Sequence, residues 1–147
     1  MNVTSKVSLW IIVITFTVGL AHAQQPSLGA YTYFERGVTY QEKAYYYKAI
    51  SEFTKAIKIV PSYGMAYFFR GNLYTYKGRY DKAISDYTKA LKIDPNYAMA
   101  YYNRGITHYL KKDYDKAWND INKAQELGSE IHPVFLETLC EASGREK

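Results

Sequence analysis

Catalysis and metal binding need nucleophiles, bases or ligands held together, and this sequence offers few of them. Its 147 residues include three histidines, His22, His108 and His132, and one cysteine, Cys140. Structural zinc takes four ligands, and a nucleophile needs a base oriented beside it. His132 and Cys140 stand eight residues apart, with no third ligand and no base near them in sequence. No glycine loop is suited to cradle phosphate, and no Ser/His/Asp ordering is present. The expectation is therefore a non-enzymatic protein with no catalytic residues, no metal and no cofactor. A single cysteine excludes a disulfide within the chain, and Cys140 reads as a small hydrophobe.

Charge offers one other kind of chemistry. The formal net charge is +5, too mild to imply a nucleic-acid partner. Lys48, Lys82 and Lys116 form one spaced set, and Lys55, Lys89 and Lys123 another. Glu52, Asp86 and Asp120 lie between them, four residues after one lysine and three before the next. On a helix that spacing makes pairs on one face, each worth a few tenths of a kcal/mol. A basic stripe for an acidic polymer is one reading. A solvated outer face is the other, and the recurrence of acids with the bases favours it.

The elements that carry these residues repeat. Gly37, Gly71 and Gly105 are 34 residues apart, as are Tyr33, Tyr67 and Tyr101, and Arg36, Arg70 and Arg104. Ala49, Ala83 and Ala117 keep the step, as do Ala56, Ala90 and Ala124. Residues 30–63 and 64–97 share 18 of 34 positions, and 64–97 and 98–131 share 13. Within the second unit, Met65, Phe68, Phe69, Asn72, Leu73 and Tyr76 recur at helical spacing. Lys77-Gly78-Arg79 interrupts the pattern, and Tyr80, Ala83, Ile84, Tyr87, Ala90 and Leu91 resume it. Asp94-Pro95-Asn96 ends that helix, since proline suits a first turn and not an interior. Gly71 and Ala83 let two helices approach closely, and Ala90 admits the next unit. Residues 133–143 read as one more helix, with Val134, Phe135, Leu136, Leu139 and Ala142 apolar and His132 opening it.

This pattern resembles the tetratricopeptide repeat, with its period of 34 and its Tyr, Gly, Tyr, Ala, aromatic, Ala and Pro in order. Tyr67, Gly71, Tyr74, Ala83, Tyr87, Ala90 and Pro95 match it, and so do Tyr33, Gly37, Tyr40, Ala49, Phe53, Ala56 and Pro61. The third unit keeps Tyr101, Gly105, Ala117 and Ala124. It departs at His108, Ile121 and Ser129, and His108 reads as a packed ring. The resemblance implies an all-α solenoid: a right-handed superhelix of three helix-turn-helix units (30–63, 64–97, 98–131). Residues 132–147 would form a capping helix and tail.

In this family the first helices line the concave groove. That implies Tyr31, Phe34, Val38, Gln41 and Glu42 from the first unit, and Met65, Phe68, Asn72, Thr75 and Tyr76 from the second. The third would supply Met99, Tyr102, Ile106, Tyr109 and Leu110, with Asn103 beside them. Ile106, Tyr109 and Leu110 are expected to be partly covered by the last helix or the adjacent second helices. Phe68 and Tyr102 are expected to project into the groove, whereas Tyr67 and Tyr101 point into the stack. Chaperone-binding members clamp a peptide's C-terminal carboxylate with two Asn, two Lys and an Arg. Asn72 and Asn103 occupy the asparagine places, but Phe68 stands in the first lysine's place, and Pro133 and Glu137 in those of the other cations.

These features imply a protein or peptide partner held in an aromatic groove by Tyr and Phe rings, with Asn72 and Asn103 fixing its backbone. The alternatives are a self-associating scaffold, hence a homo-oligomer, and glycan stacking on tyrosine faces. The location comes from the N-terminus. Met1–Lys6 is short and polar, Val7–Leu20 is apolar, and Ala21-His22-Ala23 supplies small residues before Gln24. That is a secretory signal pattern over residues 1–23, followed by a short linker at 24–29. It is short for a membrane span, so the mature chain is expected to be exported, periplasmic or extracellular, without a stable span after cleavage; the alternative is an uncleaved segment that anchors the chain in a membrane.

Overall fold

The computed structural model describes residues 27–145, so the expected signal segment and the start of the linker lie outside the described residues. Among the described residues there are seven α-helices and no strand. They are α1 Leu28–Glu42, α2 Tyr46–Ile59, α3 Gly64–Tyr76, α4 Tyr80–Ile93, α5 Ala98–Leu110, α6 Tyr114–Glu126 and α7 Pro133–Ser143. Helix α1 begins inside the expected linker, because the Ser27 hydroxyl accepts from the Ala30 N–H at 3.4 Å and caps it. Successive pairs α1/α2, α3/α4 and α5/α6 are the three units of the right-handed all-α solenoid.

Backbone chemistry sets the helix ends. Ala44, Gly78 and Lys112 turn the chain between the two helices of each unit with φ of 58°, 68° and 65°. Only the middle unit places a glycine at this left-handed position. Val60 and Asp94 end α2 and α4 in extended conformation, as the following Pro61 and Pro95 require. The third unit lacks that proline, and Gly128 stops α6 instead with φ 88°.

The recurrent small residues are buried where helices meet. Ala49, Ala83, Ala117, Ala56, Ala90 and Ala124 have no exposed surface. A Cβ on Gly37 would lie 2.6 Å from the Phe53 ring, one on Gly71 2.8 Å from the Tyr87 ring, and one on Gly105 2.9 Å from Ile121 Cδ1. Each unit therefore seats one large side chain of its second helix on a bare patch of its first.

The acids of the second helices turn inward, which corrects the expected surface pairs. Arg70 Nε and Nη2 donate to Asp86 at 2.7 and 2.8 Å, and Arg104 makes the same fork with Asp120 at 2.7 and 2.6 Å. Arg36 reaches Glu52, which Lys55 also holds. Of the expected pairs at spacing three or four, Lys55–Glu52 forms. Asp86 and Asp120 go to arginine. Glu52, Asp86 and Asp120 are buried. Burial alone would raise the Glu52 carboxyl, but hydrogen bonds from Lys55 and Arg36 outweigh it and hold the group below its ordinary value. Arg70 and Arg104 also donate to Thr54 and Thr88 of the preceding unit, at 2.9 and 3.0 Å, so one guanidinium joins two units. A second rung links units at the surface: Lys77 lies over the Tyr47 ring, Lys111 pairs with Asp81, and Arg145 pairs with Asp115.

Helix α7 covers the third unit. Leu139 is wholly buried among Ala117, Ile121, Ala124 and Ile131. Phe135 presents its edge to Tyr102 and Tyr109 at 6.2 and 5.6 Å. His132 opens the helix by accepting from the Val134 N–H. Trp118 Nε1 donates to Ser143 Oγ at 3.0 Å and ties down its end.

Candidate partner-binding face

The first helices of the second and third units touch directly through polar side chains. Asn103 Nδ2 donates to Asn72 Oδ1 at 2.8 Å, and the hydroxyls of Thr75 and Thr107 are 2.9 Å apart. Tyr87, from α4, donates its hydroxyl to the same Asn72 oxygen at 2.8 Å and lies 3.1 Å from Thr75 Oγ1. Its ring is buried, and that burial pushes the phenol up to about 12. First helices that bond across units form the inner side of the stack, so Asn72 and Asn103 sit on the concave floor.

The hydrogen-bond capacity of this pair is only partly used. Asn72 Oδ1 already accepts twice, which leaves its NH2 for a partner. Asn103 spends one N–H on Asn72 and keeps its carbonyl and second N–H. The Asn72 NH2 beside the carbonyl and remaining N–H of Asn103 is the complement of an extended peptide backbone.

The apolar part of the groove differs from the expectation. Phe34 and Phe68 are 5% and 4% exposed. Phe34 packs on Phe53, Tyr63 and Phe69, and Phe68 on Phe69, Tyr87 and Tyr97. Both are interior residues. Phe68 shares a helix face with Gly71, three residues on, and that face meets α4. Tyr102 is half-buried against Phe135, and Val38 is half-buried on the first core cluster. Tyr67 and Tyr101 pack on the interior as expected, with the Arg70 and Arg104 guanidinium groups over their rings. Leu110 stays exposed although α7 or the adjacent second helices were expected to cover part of it.

Exposed instead are Tyr31, Met65 and Met99, at 49%, 48% and 57%. They hold equivalent places in the three units, at the start of each first helix. Tyr76 is also exposed, its ring 4.7 Å from Tyr46. The concave side therefore carries a row of three exposed apolar side chains, with Tyr76 and Leu110 near its opposite end and the Asn72–Asn103 pair between.

His108 is buried, as a packed ring should be. Its Nδ1 has no hydrogen-bond partner, with Asp113 Oδ2 3.6 Å away. Burial holds its pKa below the ordinary histidine value, with Arg104 acting in the same direction against Asp120 and Asp113. Among the described residues no group of three or more His, Cys, Asp or Glu could hold a metal. No described helix is long and apolar enough to cross a membrane.

Comparison with known proteins adds the family. A tetratricopeptide-repeat model matches residues 30–63, and a TPR-repeat model matches residues 71–112. The first TPR domain of Spaghetti (RPAP3), solved bound to the HSP90 peptide SRMEEVD, superposes with a TM-score of 0.74 at 24% identity, over 80% of this chain and 93% of that one. TPR2B of yeast Sti1, solved as a complex with pHsp70, gives 0.71 at 23% identity over 80% and 98%. MamA gives 0.66 at 30% identity, over 67% of this chain and 58% of its own. No curated protein sequence matches.

Proposed function

We propose that this chain of tetratricopeptide repeats is an exported protein-interaction module that lays an extended peptide segment along its concave face. The observation that carries the reading is the Asn72–Asn103 pair, hydrogen-bonded across two units with donors and an acceptor to spare. Apolar side chains of the segment would lie against Tyr31, Met65 and Met99, one contact per unit. The fold is a scaffold for protein interaction and generally non-enzymatic, and structural neighbours bind peptides. Their mode does not transfer in detail. A carboxylate clamp needs cations, and the place of its first lysine is held by the buried Phe68. The ligand is therefore an internal segment or one with an apolar end, recognised outside the cytosol after removal of residues 1–23.

The chain from Gln24, the end that an intact mass of exported protein should show, is panned against a displayed peptide library. Selected peptides are then measured by fluorescence anisotropy. Met65→Lys with Met99→Lys should weaken binding at least tenfold, taking about 1 kcal/mol or more for each lost apolar anchor. The melt should barely change, since both side chains are exposed. The peptide SRMEEVD should not bind. Unaltered affinity of the double variant for a selected peptide would refute the concave site.

A further inference from the structure

The outer face of the first two units carries a separate feature. Lys48 and Lys58 on α2, and Lys82, Lys89 and Lys92 on α4, are all exposed, and none is in an ion pair among the described residues. The acids that recur with them in sequence do not neutralise them. Glu52 is buried against Arg36 and Lys55, and Asp86 is buried against Arg70.

The third unit breaks the pattern. There Lys116 lies 3.8 Å from Asp113, Lys123 pairs with Glu126 at 2.8 Å, and Glu126 itself stands at the position that Lys58 and Lys92 hold in the first two units. Five cations face three acids in the first unit and six face three in the second, against five and five in the third. The basic surface is thus a property of units one and two. A solvated face maintained only for solubility would have no reason to stop there.

We propose that the outer face of α2 and α4 docks on an anionic lipid bilayer. Three observations select a bilayer over an acidic polypeptide. The face is convex, so it offers no groove for a chain. Its cations are lysines, point charges on mobile stems, and no arginine fork fixes a ligand geometry there. Exposed Tyr45 and Tyr47 precede Lys48, and exposed Ile59 and Ile93 follow Lys58 and Lys92. Amphipathic rings, short apolar tips and lysine stems suit the headgroup layer. Docking there leaves the concave face turned away from the lipid and open to a partner.

The test is co-sedimentation with vesicles, using the chain from Gln24, which keeps all seven helices and their cores. Vesicles of phosphatidylcholine with phosphatidylglycerol should bind it at low salt, and vesicles of phosphatidylcholine alone should not. Lysine near an anionic surface is worth about fivefold in partitioning. Lys82→Gln, Lys89→Gln and Lys92→Gln together should therefore weaken binding on the order of a hundredfold. Lys112→Gln, Lys116→Gln and Lys123→Gln remove the same charge from the third unit and should change it less than about threefold. The inference is overturned by absent binding to anionic vesicles, by equal loss in the two triple variants, or by a polyglutamate peptide that displaces the chain from vesicles and binds it more tightly.

Discussion

Gly71→Ala tests whether the packing inside a unit also holds the concave floor. The added Cβ would lie 2.8, 3.0 and 3.2 Å from three atoms of the Tyr87 ring. Ordinary contact begins near 3.4 Å, so the ring must retreat by roughly 0.6 Å. It has nowhere easy to go. Tyr87 is 1% exposed, Phe68 packs beside it, and its hydroxyl is held by Asn72 and Thr75. Overpacking costs about 1–3 kcal/mol, and a strained or lost hydrogen bond adds about 1 kcal/mol. Alanine's better helix propensity returns roughly 1 kcal/mol. The net loss is about 2 kcal/mol, or about 8 °C in Tm for a domain of this size. Gly105→Ala is the comparison. Its Cβ meets Ile121 Cδ1 and Cγ1 at 2.9 and 3.0 Å, on an aliphatic side chain with no hydrogen bond to hold it, and the Ala117 backbone oxygen at 3.3 Å. Rotation there should hold the loss under roughly 1 kcal/mol. Far-UV circular dichroism melts of both variants decide the ranking. In a Tyr87→Phe background, the cost of Gly71→Ala should shrink, because the ring is no longer anchored by its hydroxyl. A Gly105→Ala variant that melts as low as Gly71→Ala, or an unchanged cost in that background, would refute the tethered-ring reasoning.

Two further outcomes follow from the backbone and the titratable groups. Lys112 turns the third unit at φ 65°, a conformation that costs a side-chain-bearing residue about 1–2 kcal/mol. Lys112→Gly should therefore stabilise by roughly 0.5 kcal/mol after glycine's larger entropy loss, read from the urea midpoint. His108 is held below the ordinary histidine value, so the unfolded chain takes up its proton first as pH falls. Stability from the neutral ring is present above the ordinary value near 6.5 and is lost as pH drops below it. His108→Tyr, which restores the residue type of Tyr40 and Tyr74, should flatten this decline in the unfolding midpoint against pH. An identical slope in the two proteins would count against it.

The fold was legible because its constraints recur. Gly71 with Tyr87, and Ala83 with Ala90, repeat at a step of 34, and a spacing kept three times leaves little freedom for another architecture. The groove was less legible, because apolar spacing alone does not separate neighbouring sectors of one helix. Phe68 and Met65 are both apolar and three residues apart, yet Phe68 is interior and Met65 exposed. Gly71 carried the discriminating signal: residues stacked with it share the face given to the partner helix. The arginine–acid forks were missed for a related reason. Glu52, Asp86 and Asp120 were matched to nearby lysines along the helix. The constant offset of 16 from Arg36, Arg70 and Arg104 was equally visible, and it joins two helices of a unit.

Positions that repeat and positions that differ have separate duties in this chain. The shared glycines, alanines, arginines and acids are spent on packing, which any unit needs whatever it binds. A partner can be told from solvent only by side chains that change from unit to unit. On the inner side, one repeat position reads Val38, Asn72 and Ile106. The middle unit alone places an amide there, within reach of Asn103 on the next helix. On the outer side, Lys48, Lys58, Lys82, Lys89 and Lys92 are in no ion pair among the described residues, whereas Lys116 and Lys123 of the third unit pair with Asp113 and Glu126. The two asymmetries fall on opposite faces and meet in the second unit, whose α3 carries Asn72 and whose α4 carries Lys82, Lys89 and Lys92. Substitutions at Met65 and at Lys89 therefore perturb different surfaces of one unit. If the two faces act independently, their effects on peptide binding and on lipid binding should not cross.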